Sequence, residues 1–250
     1  MRLPKALRRL AVAIWISVPA LVPASAARAA TLNPGGDGPR IRVTSDDVRQ
    51  SNEKVAMAYS ALADMWTKAF NGIGERFDVP RIARYTGAVR TACGVIGPSN
   101  AQYCPNANAI YYDEVFVAGM AKAAANSLGT DGDMASVGII AHEMGHAVAM
   151  QLGHESRDSY TNESTADCLA GAFTQESQRD GYLEKGDVEE AFYGMSLAGD
   201  PVPEPTGNAR YDAMIQARLA RQSHGTKDQR MANFRAGLEG GAKACLSDFR

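Results

Sequence analysis

The chain has 250 residues, 45% of them hydrophobic, with 26 Lys and Arg against 28 Asp and Glu, a formal charge of −2. Residues 1–29 carry five basic and no acidic side chains, so without them the count becomes 21 against 28, a formal −7. An acidic chain lacks the surplus of cations that neutralises phosphates, which excludes nucleic acid as an expected partner.

At the N-terminus, Arg2, Lys5, Arg8 and Arg9 precede an apolar run from Leu10 to Val22 and then the small residues Ala24-Ser25-Ala26 and Ala27-Arg28-Ala29. This order of basic, apolar and small segments reads as a secretory signal peptide over 1–29, and a periplasmic or secreted location follows. The run is short for a transmembrane helix and contains Pro19, no later stretch is apolar enough to span, and no cysteine follows it to carry lipid. A Gly/Pro-rich segment, 30–43, reads as a flexible lead-in, and 44–250 as one domain with a sizeable core. Thr44 and Ser45 offer helix caps before Asp46 and Asp47, and Val55, Tyr59, Leu62, Trp66 and Phe70 recur at helical spacing before Gly72 and Gly74. Residues 81–96 and 107–113, rich in Val, Ile, Tyr and Thr, read as short strands, and Ala107 to Asp113 as an edge on which a peptide substrate can pair. Helices are expected over 114–128, 133–152, 160–178, 187–198, part of 208–222, and 226–239. The loop from Ala198 to Gly207 is placed to approach a cleft. The fold class is therefore α+β, mostly helical.

His142-Glu143-Met144-Gly145-His146 is the chemically decisive run. At about 3.6 residues per turn, two histidines four apart share a helix face, which is the spacing that holds zinc. Val137, Ile140, Ala141, Met144, Val148 and Leu152 form an apolar stripe opposite them. Hydrolytic zinc keeps three protein ligands and a water, so a third ligand must come from a second element. Glu163, 17 positions beyond His146, is the candidate, and Asp167 one turn later is placed to orient a ligand histidine. Glu143 is left to act as general base. His154 lies past Gly153 and reads as a surface histidine. The metzincin pattern fails, because Ala149 and Leu152 stand where Gly and His are required. His224 reads either as a donor to the oxyanion or as a histidine structuring its loop, and Arg230 as a surface arginine. Cys93, Cys104, Cys168 and Cys245 are even in number, as expected of disulfides in an exported chain. Of three pairings, Cys93 with Cys104 is preferred because they flank a short Gly/Pro-containing loop, leaving Cys168 to join Cys245.

Cys93-Gly94, Tyr103-Cys104-Pro105, Tyr111-Tyr112-Asp113, His142 to His146, Glu163 to Gly171 and Ser223-His224-Gly225 through Gln229-Arg230 occur in one order. Over roughly residues 80–246 the chain thereby resembles the bacterial neutral zinc metallopeptidases. The resemblance implies a gluzincin-like, zincin-type domain, with one zinc ion held by His142, His146 and Glu163, and a peptide or protein substrate. Two other functions use the same metal: an amidase acting on cell-wall peptides, and a non-catalytic zinc protein that assists exported proteins. Glu143, which a structural zinc site does not require, argues against the latter. Oligomeric state is not legible in the sequence.

Overall fold

A computed structural model of the chain describes residues 30–32, 41–222 and 224–249. The expected signal peptide, 1–29, and Ser223 lie outside the described residues. Within the expected lead-in, β1 (Ala30–Leu32) and β2 (Ile41–Val43) pair antiparallel. Ile41 and Val43 are buried with Ala118 and Ala123, so this part of the lead-in belongs to the fold. Alternation of Ile, Arg and Val at 41–43 is the two-residue period of a half-buried strand.

Helix α1 (Ser45–Gly72) begins where Thr44 and Asp47 form a reciprocal capping box. Val55, Leu62, Trp66 and Phe70 are buried along one face as their spacing requires, while Tyr59 is partly buried. The segment 81–96 is broken into β3 (Arg81–Tyr85), β4 (Val89–Thr91) and β5 (Gly94–Ile96), of which β4 and β5 form a small hairpin. A strand that the sequence reading omitted, β6 (Ala101–Cys104), and β7 (Ala109–Asp113) complete a three-stranded sheet in the order β3-β7-β6. β7 runs parallel to β3 and antiparallel to β6. The expectation that 107–113 offers a free edge is thus corrected: β7 is paired on both sides, and β3 and β6 are the edges. Pro105–Ala107 forms a 3-10 turn between them, which is why the strand starts at Ala109.

Helices α2 (Glu114–Leu128), α3 (Asp133–Gln151), α4 (Ser159–Arg179), α5 (Asp187–Leu197), α6 (Ala209–Gln222), α7 (Lys227–Gly240) and α8 (Ala242–Cys245) follow. α3 packs against α1, α2, α4 and α5 and under β6. It is therefore buried round most of its circumference, not on one stripe alone, and the partly open positions Ile139, His146 and Met150 mark its histidine face. Its first turn is anchored by the fully buried Glu190 of α5, which accepts hydrogen bonds from the Gly132 and Met134 amides. α7 runs along α4, where a side-chain carbon at Gly171 would stand 1.9 Å from Phe234 O and one at Gly237 1.7 Å from Cys168 O. Only glycine permits that approach. Both expected disulfides are present, Cys93 to Cys104 and Cys168 to Cys245. The second closes 77 residues and ties the middle of α4 to the C-terminal end of the chain. Among the described residues, no helix is long and apolar enough to cross a membrane.

Candidate metal centre

His142 and His146 stand one turn apart on α3, with their Nε2 atoms 3.1 Å from each other. α4 is drawn against this turn by Gly145, where a side-chain carbon would lie 2.9 Å from Ala166 O and 3.0 Å from Ala166 Cα. The close crossing delivers the residues flanking Ala166. Glu163 places Oε2 3.1 Å from His142 Nε2 and Oε1 3.5 Å from His146 Nε2. Asp167, fully buried, places Oδ1 2.8 Å from His142 Nδ1.

These separations fit a tetrahedral ion. With ligand bonds of about 2.0–2.1 Å, the edge of a zinc tetrahedron is about 3.3 Å; the two Nε2 atoms stand 3.1 Å apart, and the two Glu163 oxygens reach them separately, Oε2 at 3.1 Å from His142 and Oε1 at 3.5 Å from His146. Glu163 Oε2 is buried and accepts no hydrogen bond despite its nearness to His142, the condition of a carboxylate oxygen waiting for a cation. When His142 is neutral, its bond to Asp167 keeps the proton on Nδ1 and leaves the Nε2 lone pair facing the other donors. Charge tells the same story in the metal-free protein. Burial opposes a charge on His142, but Asp167 and then Glu163 outweigh it and raise its pKa to about 10. Burial and then the neighbouring His142 hold His146 below its ordinary value. Burial likewise opposes ionisation of Glu163, yet His142 and His146 bring it down to about 2. The carboxylates of Asp167 and Glu163 thus favour positive charge at His142. Two imidazoles and one carboxylate form the borderline donor set that suits zinc.

Glu143 is buried beside the histidines, and its Oε2 accepts a 2.7 Å hydrogen bond from the Tyr103 amide of β6. That bond points away from β7, so the alternating ladder also turns the Ala101 N–H and C=O and the Tyr103 C=O outward. Asn100, Ala101, Gln102 and Tyr103 line one wall of a cleft of about 580 Å3 that contains His142, Glu143, His146 and Glu163. A larger groove between α1 and α4 shares no lining residue with it.

The sequence reading missed Arg230, which is only 5% exposed. Its Nε and one terminal nitrogen fork onto Asp167 at 3.1 and 2.6 Å, and its other terminal nitrogen donates to Ala198 O at 3.0 Å. The surface assignment is corrected. The late His-Gly-x-x-x-Gln-Arg segment was its signal, since Thr226 and Gln229 form the capping box that starts α7 and set Arg230 one turn in. Burial opposes ionisation of Asp167, but His142 and then Arg230 outweigh it and hold the carboxyl below its usual range.

His224 lines the cleft with its side chain 62% exposed. Its backbone amide and Nδ1 lie 2.7 and 3.3 Å from the carboxylate of Asp200, and the Asp200 amide donates to Gly225 O at 2.8 Å. The loop after Ala198 therefore does approach the cleft and orients His224. His154 is partly buried and paired with Asp248, away from the donor cage. Another donor group, Asp131, Asp133, Asp187 and Glu190, holds oxygen atoms alone, and Lys54 already supplies it a cation at 2.6 Å from Asp133.

A mostly helical α+β domain with two helical histidines, a carboxylate from the next helix and a buried glutamate beside them defines the zincin class of metal site. The chain belongs to the family described as "Putative neutral zinc metallopeptidase", which matches residues 40–249. It is 33% identical over 207 residues to "Uncharacterized protein YpfJ" of Escherichia coli strain K12, an alignment covering 74% of this chain and 67% of the relative. The protein of the same name from Escherichia coli O6:H1 strain CFT073 matches to the same extent. No solved structure matches the chain.

Proposed function

We propose that the chain is an exported zinc-dependent peptidase holding one zinc ion through His142, His146 and Glu163. The observation that carries this reading is the convergence of those three side chains, whose donor atoms lie within 4.8 Å of one another, with Glu143 buried alongside. Bound there, zinc supplies a Lewis acid that acidifies water and polarises a carbonyl. Everything else falls to the chain. An extended substrate pairs with the outward groups of Ala101 and Tyr103 on β6, which fixes the scissile bond over the cage. Glu143, steadied by the Tyr103 amide, takes the proton of the attacking water and passes it to the leaving nitrogen. His224, steered by Asp200, donates a hydrogen bond to the oxyanion. Asp167 keeps the His142 proton on Nδ1, and Arg230 keeps Asp167 ionised.

Two disulfides among the described residues accord with an oxidising compartment. The test is digestion of a mixed peptide library by the purified mature chain with zinc, beside the Glu143→Gln variant. Zinc-dependent cleavage that disappears in the variant is expected. Cleavage equal in the two proteins would overturn the role of Glu143, and none in either would favour a non-catalytic zinc protein.

A further inference from the structure

The two ends of the cleft differ in chemistry, and the helices explain the difference. α3 runs along the cleft floor, so Ile139 precedes His142 by one turn and Ala149 and Met150 follow His146 by one. Beyond His146 the lining is mixed, with Pro105, Glu155 and Asn162. On the Ile139 side of His142 the neighbouring helices add apolar side chains. α2 and α5 both flank α3, and they contribute Phe116 and Met120, spaced one turn apart on α2, and Met195 from α5, whose Cε lies 3.5 Å from the position a Gly138 side-chain carbon would take. Met120 and Met195 form a closed floor at 2% and 3% exposure, whereas Phe116 and Ile139 are only partly buried. Large apolar groups left partly open inside a concave site beside a metal cage are the usual mark of a pocket that exchanges water for a ligand side chain.

We infer that this end of the cleft is a specificity pocket, bounded by Phe116, Met120, Ile139 and Met195, that takes a large apolar side chain next to the bond attacked. The inference rests on the peptidase reading and names its substrate class: peptides carrying Leu, Met, Ile or Phe beside the scissile bond. An acidic or basic side chain there would be desolvated against four groups that offer it no partner. Because two of the walls are methionines, which are unbranched and re-pack readily, the pocket discriminates apolar from polar strongly and one apolar shape from another weakly.

Two measurements on the full mature chain test this. The first compares cleavage of acetyl-Gly-Gly-Xaa-Gly-Gly-amide peptides with Xaa as Leu, Phe, Ser or Asp. The Leu and Phe peptides are expected to be cut at least about tenfold faster in kcat/KM than the Ser and Asp peptides. Met195→Ala, which deepens the floor, should move the preference toward Phe, and a thermal melt checks that it is folded. The second uses zinc-loaded Glu143→Gln protein and calorimetry to compare binding of the same four peptides, with the same tenfold order expected. Equal cleavage of all four peptides, or equal binding by Glu143→Gln, overturns the pocket while leaving the peptidase reading standing. Ordered binding with no cleavage by the unmodified chain supports the pocket and overturns the peptidase reading.

Discussion

Replacing Arg230 with methionine keeps most of the side-chain volume and removes the guanidinium that lies between α7, Asp167 and Ala198. Asp167 has no exposed surface. In the native arrangement its Oδ1 is shared by His142 Nδ1 at 2.8 Å and Arg230 at 2.6 Å, and its Oδ2 is reached by Arg230 Nε at 3.1 Å. The variant leaves a buried carboxylate with one partner, and breaking a buried pair in this way costs about 3–5 kcal/mol. That is a large part of a domain's total stability of roughly 5–15 kcal/mol. Asp167 also orients His142, the proposed zinc ligand, and loss of such support to a ligand weakens metal binding by roughly 10–100-fold. Urea unfolding of metal-free protein reads the first effect and competition with a chelator reads the second. Because the Asp167 carboxyl lies below its usual range, the ion pair is intact above that range, so the deficit should stay constant from about pH 6 to 8. Arg230→Lys, which keeps the charge but not the fork, should fall between. An Arg230→Met protein within about 1 kcal/mol of the parent, binding zinc within about threefold, would refute the argument.

Glu163→Ala should reduce zinc to well below one equivalent after dialysis, whereas Glu143→Gln should retain nearly a full one; equal loss in both would mean that the two carboxylates have been assigned the wrong roles. His224→Ala should keep its zinc and lower kcat by roughly a hundredfold with KM within a few fold, while unchanged turnover would leave His224 as a loop residue. Asp187 offers a pH test: burial, then the nearby charges of Asp133, Glu190 and Asp131, outweigh its bond to the Glu184 amide and push it up to about 6. The folded chain then holds this proton more tightly than the unfolded one, so its stability contribution is full below about pH 4 and is lost as pH rises to about 6. Asp187→Asn should therefore be more stable than the parent at pH 7 by about 1 kcal/mol, allowing for screening by solvent and Lys54, and little different at pH 4. Urea midpoints at the two pH values measure the difference, and an equal shift at both would be inconsistent with a raised carboxyl.

Local rules made much of this protein legible in its sequence. Helix period placed the core face of α1, the four-residue histidine spacing set one face of α3, and Gly145, Gly171 and Gly237 were visible as letters. The mostly helical α+β class, the Cys93–Cys104 bridge across its short loop and the candidate donors His142, His146 and Glu163 follow from such short-range patterns and from the order of the motifs, and the Cys168–Cys245 bridge only as the pair left over. Contacts between distant segments did not. Nothing local distinguishes Ala101–Cys104 from a loop between prolines, yet pairing with β7 makes it an edge strand, and its Tyr103 amide holds Glu143. Nothing in a single helical arginine reveals burial, because the charge of Arg230 is tolerated out of water only by virtue of its pairing with Asp167, 63 residues away. The sequence supplied the candidate donors, since donor chemistry belongs to individual side chains; the tertiary structure decided their orientation, because burial and hydrogen-bond direction are properties of packed neighbours. The apolar end of the cleft is of the second kind: Phe116, Ile139 and Met195 read singly as core residues, and only the junction of three helices gathers them into one wall.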